Sequence, residues 1–394
     1  MNLSEEIFLN HLGQTSPFPF LIPIEKAEGV YLYGPDGKKY IDMISGIGVS
    51  NIGHRHPHVV AAIKEQVDKH LHIMVYGEYI QSAPNLLAQK LASLLPSNLN
   101  CSYFVNSGTE ANEAALKLAK RVTGRTEIIS CKKSYHGSTH GSLSVSGNVV
   151  KKRAFLPLLP DVNFIEFSNE NDLQKITERT ACVIMETVQG DAGVRIPTKD
   201  YLKAVRQRCT QTGTLLIFDE IQCGMGRTGT LFAFQQFDVV PDILTVGKAF
   251  GGGLPIAAFI SSKEKMQLLT HDPMLGHITT FGGNPVCCAS ALATLEVLEN
   301  ENILASVEAK GKLIQELLLH PKIKETRRIG LMFAFDFDSA ERVTRIVNYC
   351  KENGVIGYWF LSNPYSFRLA PPLTITPEEI KIACQVIWNA IENS

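Results

Sequence analysis

The sequence lacks any apolar run long enough to span a bilayer, any low-complexity or Pro/Ser-rich stretch and any internal repeat. Those absences exclude a membrane-embedded protein, a linker-like chain and a solenoid. Charge of one sign is also missing: 38 Lys+Arg against 39 Asp+Glu leave a formal net charge of -1, with the basic residues scattered along the chain. Such a surface offers no electrostatic footprint for nucleic acid or an anionic membrane, which leaves small molecules as the expected partners. No CxxC pair occurs among the nine cysteines, and their odd number and irregular spacing suit reduced thiols better than a disulfide framework. The opening MNLSEEIFLNHL has no basic start, apolar middle or small-residue cleavage site, so a cytoplasmic protein is expected.

What is present is a chain of 394 residues, 45% hydrophobic and 20% charged. That length suits one large domain with a smaller companion. GVYLYGPDGKKYIDM alternates around a GPDG turn and reads as a hairpin, while the spacing predicts helices over 59–71 and 85–95. Beyond residue 100, the apolar runs SYFV, EIIS, NFIEF, ACVIMETV, LLIFDE, DILTVG and AAFIS alternate with helical stretches. This rhythm predicts an α/β fold whose sheet is mostly parallel and flanked by helices. After Pro285 a long helical region leads to GLMFAFDF, VIGYWF and FRLAPPL, read as strands of a smaller α+β domain. The expected division is a large domain over 46–289 and a small one over 290–394, with 1–45 packing beside the small domain.

Chemistry concentrates where apolar strands end. LLIFDEIQCG delivers Asp219, Glu220 and Gln222 to a strand terminus, the edge where open α/β sheets bind ligands. DILTVGKAFGGGLP runs a buried strand into Lys248 and then three glycines. A desolvated lysine there can lose its proton and attack a carbonyl, although a lone lysine is more often a solvated surface group. NSGTEAN opens an amphipathic helix with Ser107, Gly108 and Thr109 in or beside its first turn. Free N–H groups and the helix dipole make that turn either an anion site or an ordinary N-cap. SYHGSTHG offers Tyr135 as a flat face and His136 as a hydrogen-bonding group, and HITTFGGNP adds Thr279 and Thr280 in a glycine-rich loop.

Taken in order, GHRHP, NSGTEAN, YHGST, ETVQGDAGV, FDEIQCGMGRTG, TVGKAFGGGLP, TTFGGNP and FRLAPPL resemble the class III, ω-type aminotransferases, the group that includes acetylornithine, ornithine and 4-aminobutyrate aminotransferases. The resemblance covers nearly the whole chain. It implies a fold-type-I transferase dependent on pyridoxal 5'-phosphate, with Lys248 as covalent anchor and proton carrier and Asp219 beside the ring nitrogen. It further implies cofactor contacts from Ser107, Gly108, Thr109, Tyr135, His136, Glu186 and Gln222. Thr280 would reach the phosphate from the partner subunit of a homodimer with shared active sites. On the substrate side it implies Ile47, Glu78, Asp191 and Arg368, with Arg368 gripping the 2-oxo-acid carboxylate and Asp191 as its parking partner.

One position departs from relatives that use glutamate, which carry arginine immediately after the aromatic-His-Gly triplet; Ser138 stands there. Losing a charge-assisted hydrogen bond of about 1.5–3 kcal/mol weakens the case for acetylornithine or γ-aminobutyrate as donor. Glu78 without that arginine favours a donor with a distal ammonium. The expected reaction moves an amino group from an amino acid or amine to a 2-oxo acid by a ping-pong route. An aminomutase is the alternative within the same chemistry. A metal site is the rival outside it, because His54, His56, His58, His70 and His72 crowd one segment, though no acidic or cysteine ligand completes a set.

Overall fold

The computed structural model describes residues 3–75 and 77–394. Near the start, β1 (Lys26–Glu28), β2 (Tyr31–Tyr33) and β3 (Lys39–Asp42) form an antiparallel meander around the GPDG turn. The central sheet follows, with strands β4 (Cys101–Val105), β5 (Glu127–Cys131), β6 (Val162–Ile165), β7 (Thr180–Glu186), β8 (Leu215–Asp219), β9 (Ile243–Val246) and β10 (Ala257–Ser261). Their order is β4-β10-β9-β8-β7-β5-β6.

Every residue of β7, β8, β9 and β10 is buried. Unbroken apolar runs of this kind belong to strands covered on both faces, which is why they do not alternate. Six strands share one direction and β10 runs against both neighbours. The cause is the connection 247–256, too short for the crossover that a parallel return requires.

The parallel strands therefore present their C-terminal ends on one edge. There β7, β8 and β9 release Glu186, Asp219 and the turn at Lys248, and the helix Gly108–Thr123 begins just after β4. That helix buries Ala111, Ala114, Ala115, Leu118 and Ala119 against the sheet, a spacing that keeps one stripe inward. It is capped by Ser107 at its start and ends on Gly124 at φ 67.

The remaining chain builds a second sheet from β11 (Glu325–Ile329), β12 (Met332–Asp336), β14 (Tyr358–Trp359) and β15 (Ser366–Leu369), in the order β11-β12-β15-β14. The short strand β13 (Val355–Ile356) instead pairs in parallel with β3. VIGYWF is thus two strands in two sheets, not one. Gly357 separates them, and a Cβ there would lie 2.2 Å from the Phe367 ring, so only glycine lets the chain pass this close to β15.

The long helical region after Pro285 also divides, into Pro285–Asn300 and Val307–Leu317, with Asn302 at φ 48 turning the chain between them. The 289/290 boundary read from the sequence falls inside Pro285–Asn300, which packs along the helices Pro57–Lys69 and Ser82–Leu94. No helix among the described residues is long and apolar enough to cross a membrane.

Candidate active site

A cavity of about 440 Å³ opens at the shared edge of the central sheet. Lys248 enters it from the turn after β9 with its backbone at φ 48. A non-glycine residue held there costs about 1–2 kcal/mol, strain that the surrounding structure must impose. The Lys248 ammonium is pushed below the usual lysine range, first by burial and then by the Arg368 guanidinium; Asp219, Glu186 and Asp191 oppose the shift. Lowering it raises the share of neutral amine, the form that attacks a carbonyl.

Asp219, at the end of β8, is buried with both carboxylate oxygens engaged. Its Oδ2 accepts from His136 Nδ1 at 2.7 Å and from Asn112 Nδ2 at 2.8 Å, and its Oδ1 accepts from the Ile221 N–H at 3.1 Å. In the sheet register Glu186 lies directly beside it. Burial raises the Glu186 carboxyl well above the ordinary range, and repulsion from Asp219 and Asp191 adds to the shift. Tyr135 is partly exposed, and its hydroxyl lies 3.4 Å from Ser138 Oγ.

Gly108 and Thr109 bring the helix N-terminus to the cavity wall. A Cβ on Gly108 would fall 2.7 Å from Ile221, so a side chain there would displace a neighbouring wall residue. Gly137, at φ 133, passes so close to Thr109 that a Cβ would sit 2.3 Å from its hydroxyl. Ser107 is not part of the wall; its hydroxyl accepts from the Glu110 N–H at 3.4 Å, the ordinary N-cap role. Gln222 lines the cavity, braced by Gly190, where a Cβ would fall 1.6 Å from its amide oxygen.

On the opposite side stand Ile47, Asp191, Leu361 and Arg368. Ile47 projects from a turn in which residues 45–48 all have positive φ. Arg368 is buried, with its guanidinium carbon 5.0 Å from the Phe360 ring centre. Burial pulls it below its usual range while Asp191 and Glu186 pull the other way, yet it makes no ion pair with a described carboxylate.

Asp191 acts on Arg368 through its charge but makes no ion pair with it here. Its oxygens accept from the Leu361 N–H at 2.9 Å and the Ser362 hydroxyl at 2.8 Å, so its carboxylate is committed to the loop after β14. Glu78 and Thr280 are exposed and lie outside this chain's cavity. Three of the crowded histidines are engaged in pairs: His54 with Asp42 at 2.8 Å, His56 with Glu301 at 3.1 Å and His58 with Glu296 at 2.7 Å. Among the described residues no group of three or more metal-ligating side chains converges.

Sequence reasoning missed Asn112 and Leu361. Asn112 left a signal, a polar residue inside the apolar stripe of the helix Gly108–Thr123; Leu361, in a loop from the second sheet, left none. Two buried polar atoms of the site, His136 Nε2 and Glu186 Oε2, have no protein partner in the structure. They accompany a helix N-terminus suited to a phosphate, a lysine suited to a carbonyl and a fixed carboxylate suited to a ring N–H. These donors and acceptors fit pyridoxal 5'-phosphate, and with the parallel sheet behind them they define a pyridoxal-phosphate enzyme of fold type I.

Comparison with known proteins narrows that class. Residues 13–391 match the family Aminotransferase class-III. The acetylornithine aminotransferase of Methanopyrus kandleri is 37% identical over the full length of both chains. That of Methanocaldococcus jannaschii is 40% identical over 91% of this chain and 90% of its own. Among solved structures, the ornithine aminotransferase of Toxoplasma gondii, reported with partial occupancy of the cofactor at its active site, superposes with a TM-score of 0.92 at 30% identity, covering 99% of this chain and 93% of its own. This chain belongs to the class-III aminotransferases. None of these relatives is an aminomutase.

Proposed function

We propose that the enzyme takes a distal amino group from an amino acid or amine and delivers it to a 2-oxo acid, in two half-reactions within the cavity around Lys248. The observation that carries this reading is the convergence there of Lys248, Asp219 and the unpaired, buried Arg368. Pyridoxal phosphate, when bound, supplies an electron sink for the carbon that loses its proton. Gly108 and Thr109 would hold its phosphate, Tyr135 and Gln222 its ring, and Asp219, oriented by His136, its ring nitrogen. Lys248 would anchor it and then, as the nearest amine, move the proton on the substrate carbon. Arg368 receives the acceptor carboxylate, which relieves a buried cation of its missing partner.

The relatives named for acetylornithine and ornithine favour a donor with a basic amino-acid skeleton. Ser138, small and neutral beside Tyr135, leaves the donor's far end without a second arginine grip at that position. The enzyme acts in the cytoplasm as a homodimer whose partner supplies Thr280 to the phosphate.

Reduction with borohydride in the presence of pyridoxal phosphate, followed by peptide mass mapping, is expected to label Lys248. A panel of ω-amino acids, diamines and monoamines without any oxo acid is expected to convert the bound cofactor with at least one distal amine. Labelling at another lysine, or conversion only by α-amino groups, overturns the reading.

A further inference from the structure

We propose that Asn112 is a positioning residue for the cofactor: with Thr245 it fixes the face that Asp219 and His136 present to the cavity. This rests on the reading that Asp219 serves the cofactor ring. Asn112 is fully buried in the fifth position of the helix Gly108–Thr123, on the stripe otherwise made of alanine and leucine. A polar residue of weak helix propensity is costly there unless every polar atom is satisfied.

All of them are. Asn112 Nδ2 donates to the His136 carbonyl at 2.7 Å and to Asp219 Oδ2 at 2.8 Å, while its Oδ1 accepts from the Thr245 hydroxyl at 2.9 Å. Thr245 lies on β9 directly opposite Asp219 in the sheet register. The His136 carbonyl and the Asp219 carboxylate only accept, so they decide that the amide turns its N–H groups toward them, and the Thr245 hydroxyl holds the amide in place by donating to its oxygen.

One side chain thereby joins the helix whose N-terminus forms the proposed phosphate site to the loop bearing Tyr135 and His136, and both to the strand end bearing Asp219. With Asn112 and His136 both on Oδ2, the carboxylate cannot rotate without breaking two buried hydrogen bonds.

The test is a double-mutant cycle read by cofactor affinity. Apoproteins of wild type, Asn112→Ala, Asp219→Asn, the double variant and Thr245→Val are titrated with pyridoxal phosphate by fluorescence quenching, and their thermal melting is recorded alongside. Asn112→Ala is expected to weaken binding by about tenfold or more, and Thr245→Val by a smaller factor in the same direction. In the Asp219→Asn background, Asn112→Ala is expected to add less than about a further twofold.

A purely structural staple would lower melting equally in both backgrounds and multiply with Asp219→Asn in the binding assay; that result overturns the proposal. So does binding by Asn112→Ala within about twofold of wild type. If Asn112→Ala does not fold, Thr245→Val, which keeps its shape, decides alone: unchanged affinity refutes the orientation role. Failure of the wild-type apoprotein to bind pyridoxal phosphate would instead refute the functional reading itself.

Discussion

Two buried arginines in this protein have opposite surroundings, and the contrast says what each is for. Arg227 donates to the Leu331 carbonyl at 2.9 Å, the Pro371 carbonyl at 2.5 Å and Asn51 Oδ1 at 2.6 Å. It ties three segments together and is pushed down to about 9 by burial, then by Arg368. Arg368 faces the cavity without an ion-pair partner among the described residues.

Removing Arg227 strands three buried acceptors, whereas removing Arg368 removes an uncompensated charge. Arg227→Met is therefore expected to lower the melting temperature of the apoprotein, and Arg368→Met to leave it unchanged or raise it. Arg368→Met is also expected to raise KM for the 2-oxo acid by about ten- to a hundredfold. Melting curves and initial-rate kinetics with varied oxo acid check both; a fall in stability for Arg368→Met would mean that its charge is already compensated. Lys248, Asp219 and Arg368 were legible because each sits at a strand end or in a strand inside a distinctive motif. The partners of Asp191 were not, because Leu361 and Ser362 lie 170 and 171 residues away in a loop with no pattern of its own.

Elements differ in legibility for the same kind of reason. The buried strands β7 to β10 announced themselves as apolar runs, and a short connection fixes the direction of β10 only once the neighbours are known. β11, ETRRI, was missed because its outward charges hide it: Arg327 pairs with Asp336 and Glu325, and Arg328 with Glu308.

Beside Asp219, Glu220 shows how an element is held. Its carboxylate accepts from the Ala233 and Phe234 N–H groups at 2.6 and 2.7 Å and from the Thr187 hydroxyl at 2.9 Å, joining the loop after β8 to the end of β7. Burial lifts its carboxyl from 4.5 to about 7 despite those three donors. Between these values the folded protein keeps a proton that the unfolded chain has released, so stability falls as pH rises. The contribution is full below 4.5 and is lost as pH passes about 7.

Glu220→Gln cannot ionise, and in the same orientation it sets an N–H against a backbone donor. It is expected to melt lower than wild type at pH 5 yet to lose less stability from pH 5 to pH 8, as read by calorimetry across that range. Parallel curves for the two proteins would show that another group sets the slope.

At the scale of the molecule, two neighbouring surface segments carry many exposed apolar side chains. Ile80 is 95% exposed and Met274 76%, with Leu71, Tyr79, Leu275, Ile278 and Phe281 also exposed along the same two segments. These segments adjoin one another: His72 packs on Phe281 with ring centres 5.1 Å apart, and Asn284 donates to the Leu71 carbonyl. Exposed apolar side chains on adjoining segments are what an interface between copies would cover. Thr280 and Glu78 lie on these same segments, exposed and outside the cavity of their own chain.

No residue spacing can reveal a site shared between copies, so the expectation of one came only through resemblance. A charge within these segments tests the proposed homodimer: if they form its interface, Ile80→Asp is expected to shift the protein from dimer to monomer by sedimentation velocity while its melting stays cooperative. If the two sites share walls, activity per chain falls by at least about tenfold with the dimer, and it recovers as concentration drives reassociation. A monomeric Ile80→Asp protein with full turnover would show instead that each cavity is complete within its own chain.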